Sequence, residues 1–163
     1  VVGQRDALVP VRHYTRALDE VDEASDLWNR HREEITHARA LRNAMLADPD
    51  QPDVFLHGDL QHHNVLSDVI GGVRVIDPKG LIGPAGYEFG TLTWNPPYIQ
   101  RHPRLAHIER QRIDIWSETI EVPWETLRNW AFVANVVSAC WALQGGAVPW
   151  QDAMALATTI RDL

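Results

Sequence analysis

Cysteine is nearly missing from this sequence: among 163 residues only Cys140 is one. A lone thiol excludes any disulfide framework within the chain and any zinc site built from several cysteines. Its place in the apolar run AFVANVVSACWALQ suits a small buried hydrophobe. A reducing, cytoplasmic setting is therefore expected. Basic residues are also in short supply, with 15 Lys and Arg against 22 Asp and Glu and a formal charge of -7. A nucleic-acid binder needs a basic face to displace counterions, so the balance points away from nucleic acid and toward cationic partners. No apolar run reaches membrane-spanning length, and the N-terminal VVGQRDALVPVRHYTRA lacks the basic cluster and long apolar core of a signal peptide. There is no internal repeat and no low-complexity tract. The length suits one domain, residues 1–163, with its own core.

What is present is mostly helical patterning around a small β element. Leu18, Val21, Leu27, Ile35, Ala38, Leu41 and Met45 recur at helical steps between Tyr14 and Ala47, predicting one long helix or two shorter ones. The segment Asp48-Pro49-Asp50-Gln51-Pro52 ends this pattern. Short strands are expected at Val54-Phe55-Leu56, Val65-Leu66 and Val73-Arg74-Val75-Ile76, the last two joined by a turn at Gly71-Gly72. KGLIGPAG then reads as a loop, with Gly80 and Gly83 serving backbone bends. Further helices are predicted from Tyr87 to Trp94, stopped by Asn95-Pro96-Pro97, from Arg104 to Thr119, from Pro123 to Gln144 with Gly145-Gly146 as terminator, and from Trp150 to Arg161. The fold class is α+β, mostly helical, with a small β-hairpin.

Chemistry concentrates in two short stretches, LHGDLQHHNVL at 56–66 and VIDPKG at 75–80. Phosphoryl transfer from ATP needs magnesium to bridge the phosphates and a carboxylate to orient the acceptor hydroxyl and accept its proton. Magnesium prefers hard oxygen ligands, and a neutral amide such as that of Asn64 adds coordination without more negative charge beside a triphosphate. Asp77, at a strand end, supplies a second ligand. In the protein-kinase arrangement the base aspartate precedes a metal-binding asparagine by five positions, and a metal-binding aspartate follows one hairpin later. Asp59, Asn64 and Asp77 stand in that order and spacing.

HGDLQHHN followed by VIDPKGLIG resembles the catalytic and metal loops of the aminoglycoside phosphotransferases, nearest their streptomycin and hydroxyurea phosphotransferase branch. The match covers roughly residues 54 to 96. The resemblance implies the C-terminal lobe of a protein-kinase-like fold, with the hairpin carrying both loops. It implies ATP as co-substrate and a small-molecule acceptor such as an aminoglycoside, aminocyclitol or amino sugar, and with it a place in antibiotic resistance. By the same resemblance Asp59 is the catalytic base, Asn64 and Asp77 hold magnesium and the nucleotide phosphates, and His57 is a structural support of the catalytic loop. Where relatives carry DPAYDLG, this chain reads GPAGYEFG, so Glu88 is expected to brace the loop with a longer arm.

Kinases of this fold grip the ATP phosphates with an N-terminal β-rich lobe. Only 58 residues precede Asp59, and they read mainly as helix. The sequence begins at Val1, and the expectation is the C-terminal part of a longer protein. The alternative is a shortened, non-catalytic pseudokinase-like lobe that binds a small molecule or a partner protein. His57, His62 and His63 raise a third reading, a metal-dependent hydrolase, against which the spacing lacks a closed tetrahedral set. Lys79 is expected to be a salt-bridge partner more than a phosphate ligand. Trp94, Trp116, Trp124, Trp130, Trp141 and Trp150 suit helix packing, with one or two available to line an acceptor pocket. Glu109, Asp114, Glu118, Glu121 and Glu125 form either a cation-binding stretch or a solvated face.

Overall fold

Helix α6, Trp124–Leu143, is apolar on nearly every side and forms the axis of the molecule. Leu127, Trp130, Val133, Val136, Val137 and Ala139 along it are fully buried, the pattern of a helix surrounded by other elements. In this computed structural model, which describes residues 8–68, 71–96, 98–145 and 149–163, α6 packs against α7 (Trp150–Arg161), α4 (Gly86–Leu92), α3 (Asp26–Ala47) and α5 (Leu105–Ile120). The approach of α4 is close: a Cβ on Gly90 would lie 2.5 Å from Cβ of Ala134. Burial pushes the Cys140 thiol up to about 12, against the opposing charge of Arg39, so it stays a protonated hydrophobe.

Over Tyr14 to Ala47 the structure takes the second of the two expected forms, shorter helices in place of one long one. Two single turns, α1 (Val11–Tyr14) and α2 (Ala17–Glu20), precede α3. Short polar side chains explain the break. Asp22 Oδ1 accepts the Ala24 amide at 2.9 Å, and Ser25 Oγ accepts the Trp28 amide at 3.2 Å as the cap of α3, two local bonds that compete with helix continuation. Arg42, almost wholly buried, ties the turns back onto α3 through both Asp19 oxygens, at 2.8 and 2.9 Å, and the Thr15 carbonyl at 3.1 Å.

KGLIGPAG is not simply a loop. Leu81–Pro84, including Gly83, forms β5, the central strand of a three-stranded sheet ordered β1-β5-β2. β1 (Val9–Pro10) runs parallel to it, and β2 (Asp53–Leu56) antiparallel with Leu56 opposite Leu81. Both neighbours come from distant sequence, so no local pattern announces the strand. The second sheet is the expected hairpin of β3 (Val65–Ser67) and β4 (Val73–Val75), with Val65 opposite Val75. Phe55, Leu66, Val73, Val75 and Ile76 leave a large part of their surface in water.

The later helices lie within a residue or two of their expected limits. Pro97 and Gly146, assigned to helix stops, fall outside the described residues. Among those described, no helix is long and apolar enough to cross a membrane.

Candidate active site

Strand β2 delivers the chain to Gly58, where the backbone turns with φ +76°. A Cβ there would meet Leu81 Cγ at 2.5 Å, so the close approach of β5 and the positive φ both demand glycine. Asp59 follows, half-buried. Its Oδ1 accepts a hydrogen bond from Gln61 Nε2 at 2.8 Å, and its Oδ2 takes Lys79 Nζ at 2.9 Å. Burial works against the charge on Lys79, but Asp59 and Tyr14 outweigh it and hold its pKa above the ordinary value. Lys79 is thus a salt-bridge partner, as expected, with the candidate base as its partner.

The two motif stretches are stitched together. His57 Nδ1 accepts the Asp59 amide at 3.2 Å, and its Nε2 donates to the Ile76 carbonyl at 2.8 Å. These two bonds fix a neutral ring protonated at Nε2. The Ile76 amide donates to the Asn64 carbonyl at 2.9 Å, and the Lys79 amide to the His57 carbonyl at 2.8 Å. Asn64 Nδ2 donates to the Asp59 carbonyl at 2.8 Å. That bond leaves the amide oxygen of Asn64, among the described residues, open to coordinate a cation.

Asp77 follows β4 with φ 57°, a left-handed conformation that a short polar side chain tolerates best among non-glycines. The residue is exposed and, among the described residues, its carboxylate takes no hydrogen bond or ion pair. An exposed carboxylate and an amide oxygen are hard donors of the type magnesium takes, so the residues present fit that ion.

Glu88 is buried in α4, and its two carboxylate oxygens both accept the Gly58 amide, each at 3.1 Å. The longer arm of glutamate reaches the loop. His62 and His63 do not converge with His57 on a common point: His62 pairs with Asn95, and its ring lies 4.0 Å from that of His63. Among the described residues no three His, Cys, Asp or Glu side chains gather as a metal-binding group.

Beside Asp59 lies a cavity of about 150 Å³. Asp59 and Lys79 line it together with Tyr14, Tyr87, Trp94 and Trp141. The Tyr14 ring meets those of Tyr87 and Trp141 edge-on, at 6.5 and 4.8 Å. Burial, together with Tyr14 and Glu88, raises the Tyr87 phenol well above its ordinary pKa, so it remains neutral. A second cavity of about 490 Å³ shares Tyr14, Lys79 and Trp141 with the first and adds Glu20 and His13. Another of about 500 Å³, along α3, contains none of the motif residues.

The acidic stretch contributes nothing to the lining beside Asp59. Glu109 turns into the core against Arg112 at 2.8 Å, Asp114 accepts the Trp124 indole at 2.9 Å, and Glu118, Glu121 and Glu125 face water. Sequence reasoning passed over Tyr14, Gln61 and Tyr87. It also missed one signal for Lys79: this is the only lysine in a chain with 14 arginines.

A family described as aminoglycoside/hydroxyurea antibiotic resistance kinase matches residues 3–146. The streptomycin 3''-kinase of Klebsiella pneumoniae is 32% identical over 94 residues, which cover 56% of this chain and 35% of that protein. An ethanolamine kinase of Plasmodium vivax has a solved structure that matches 89% of this chain and 40% of its own length, with a TM-score of 0.51 at 16% identity. At that identity the likeness establishes a kinase-like fold. The chain spans well under half the length of either protein.

Proposed function

The chain belongs to the aminoglycoside/hydroxyurea antibiotic resistance kinase family, and from that premise we propose that it is the catalytic, C-terminal lobe of an ATP- and magnesium-dependent phosphotransferase. Its acceptor is a hydroxyl of a small, cationic polar molecule: an aminoglycoside or aminocyclitol such as streptomycin, or an amino sugar. The nucleotide-gripping lobe belongs to the rest of the full-length protein.

The observation that carries this reading is the stitched pair of loops, with Asp59 facing a cavity at one side and the oxygens of Asn64 and Asp77 left for a cation. Asp59 orients the acceptor hydroxyl and takes its proton, while Gln61 and Lys79 hold the carboxylate in place. Asn64 and Asp77 hold the magnesium that, when bound, neutralises charge on the transferred phosphoryl group. Little covalent work falls to the protein, so rate enhancement comes from position and electrostatics. The aromatic faces of Tyr14, Trp94 and Trp141 suit a cationic acceptor, since a ring face attracts positive charge.

ADP release from Mg-ATP, followed with the complete gene product across aminoglycosides, amino sugars and amino alcohols, tests the reading. Acceptor-dependent release that disappears in Asp59→Asn is the expected result. Silence across the panel from a folded protein, or full activity in Asp59→Asn, refutes it.

A further inference from the structure

Helix α5 supplies no residue to the cavity beside Asp59, yet one of its side chains reaches toward the catalytic loop through two intermediaries. Arg112 donates through Nη1 to Glu109 Oε1 at 2.8 Å and through Nη2 to the backbone carbonyl of Asn95. Asn95 lies just beyond α4. Its Nδ2 donates to the Leu92 carbonyl at 3.2 Å, which turns Oδ1 toward His62. That oxygen accepts the His62 amide at 3.2 Å and pairs with the His62 ring Nδ1 at 2.5 Å. As Oδ1 can only accept, the ring nitrogen carries the proton. His62 opens the short turn that ends at Asn64, and Asn64 in turn bonds the Asp59 carbonyl.

The same stretch of chain therefore grips the loop on both sides of the base. Glu88 holds Gly58 immediately before Asp59, and Asn95 holds His62 three residues after it. Glu88 is set within a helix, whereas Asn95 lies beyond the helix end, where its amide and Nδ2 donate to the Leu92 carbonyl at 3.0 and 3.2 Å and its own carbonyl takes an anchor from outside. Arg112 is that anchor.

Glu109 shows the cost of fixing it. The residue is wholly buried, and among the described residues its Oε2 has no hydrogen-bond partner. A buried ion pair is a weak source of stability compared with apolar residues of similar size. Its benefit here is a guanidinium held in one place against the Asn95 carbonyl.

We propose that Arg112, held by Glu109, is a positioning residue for the phosphotransfer site, acting through Asn95 and His62 on the turn between Asp59 and Asn64. The role rests on the phosphotransferase reading, but the contacts can be tested without it. Arg112→Met alone would strand a buried carboxylate and could unfold the protein, so the test compares E109Q with the E109Q/R112M double variant, and adds Arg112→Lys.

Amide hydrogen exchange reads the grip directly. In the double variant, relative to E109Q, exchange at His62 rises by about tenfold, the scale of one lost hydrogen bond, while Val133 and Val136 in α6 exchange as before. In the complete gene product with Mg-ATP and streptomycin as probe, kcat falls by about tenfold with the KM for ATP within about twofold, and Arg112→Lys recovers part of the loss. Unchanged exchange at His62 overturns the proposal. So does a rise shared equally by α6, which would mark general destabilisation, or local loosening with kcat intact. If the parent protein releases no ADP with streptomycin, that choice of acceptor has failed, and the exchange comparison alone decides whether Arg112 holds the loop.

Discussion

Replacing Glu109 with glutamine should flatten a component of the protein's pH-dependent stability. Burial of the wholly enclosed carboxyl raises its pKa from the ordinary 4.5 to about 7, despite the opposing charge and hydrogen bond of Arg112. Between those values the folded protein keeps a proton that the unfolded chain releases, so stability is greater at the acid end and falls as pH rises through the window. The full effect is on the order of 3 kcal/mol, and roughly 2 kcal/mol of it lies between pH 5 and 8. The glutamine side chain keeps the shape and the acceptor oxygen for Arg112 but cannot ionise. Urea unfolding at pH 5 and at pH 8, for parent and E109Q, isolates the group, because every other titration cancels between the two proteins. The parent should lose roughly 2 kcal/mol more than E109Q over that interval. Parallel pH dependences would refute the argument that Glu109 is a buried, proton-holding carboxyl.

Gly58→Ala should destabilise by about 1–3 kcal/mol in urea unfolding, combining a left-handed backbone with a clash against Leu81; a cost below about 0.5 kcal/mol would mean β5 yields easily. Lys79→Met should change stability by less than about 1 kcal/mol, since its ion pair is half-exposed, so a large loss of ADP release in a folded K79M would reflect the base and not the fold. Trp141→Ala should raise the KM for a cationic acceptor by about fivefold or more while leaving the KM for ATP within about twofold; the reverse split would remove Trp141 from the acceptor side. Arg42→Met should cost about 1–2 kcal/mol by freeing α1 and α2 from α3, measured by thermal unfolding; no change would show that the two turns are held by apolar contacts alone.

The motif residues were legible because their spacing reflects a mechanism: a base, an amide five positions on and a carboxylate after a hairpin are separated by distances that the loops themselves span. The long helices were legible through period and punctuation, as with Pro123 before α6. What escaped notice depends on contacts between distant segments. Leu81–Pro84 carries a glycine and a proline and gains strand character only because β1 and β2 flank it. Tyr14 and Tyr87 look like packing residues until the folded chain sets both beside Asp59. Glu109 sits among other acidic residues, yet Leu105 and Ile113, one turn to either side and both buried, put it on the inward face of α5, a periodic signal that sequence reasoning passed over.

Residues 57–64 and 76–79 are joined by two main-chain bonds, by the His57 ring on the Ile76 carbonyl and by the Lys79–Asp59 pair. The cavity beside Asp59 owes its aromatic lining to other places: Tyr14 from α1, Tyr87 from α4, Trp94 just past α4 and Trp141 from α6. The aromatic lining and the motif loops are therefore written in separate parts of the chain. Under the proposed phosphotransferase reading, positions 94 and 141 form a library for new acceptors that leaves the phosphoryl-transfer frame intact.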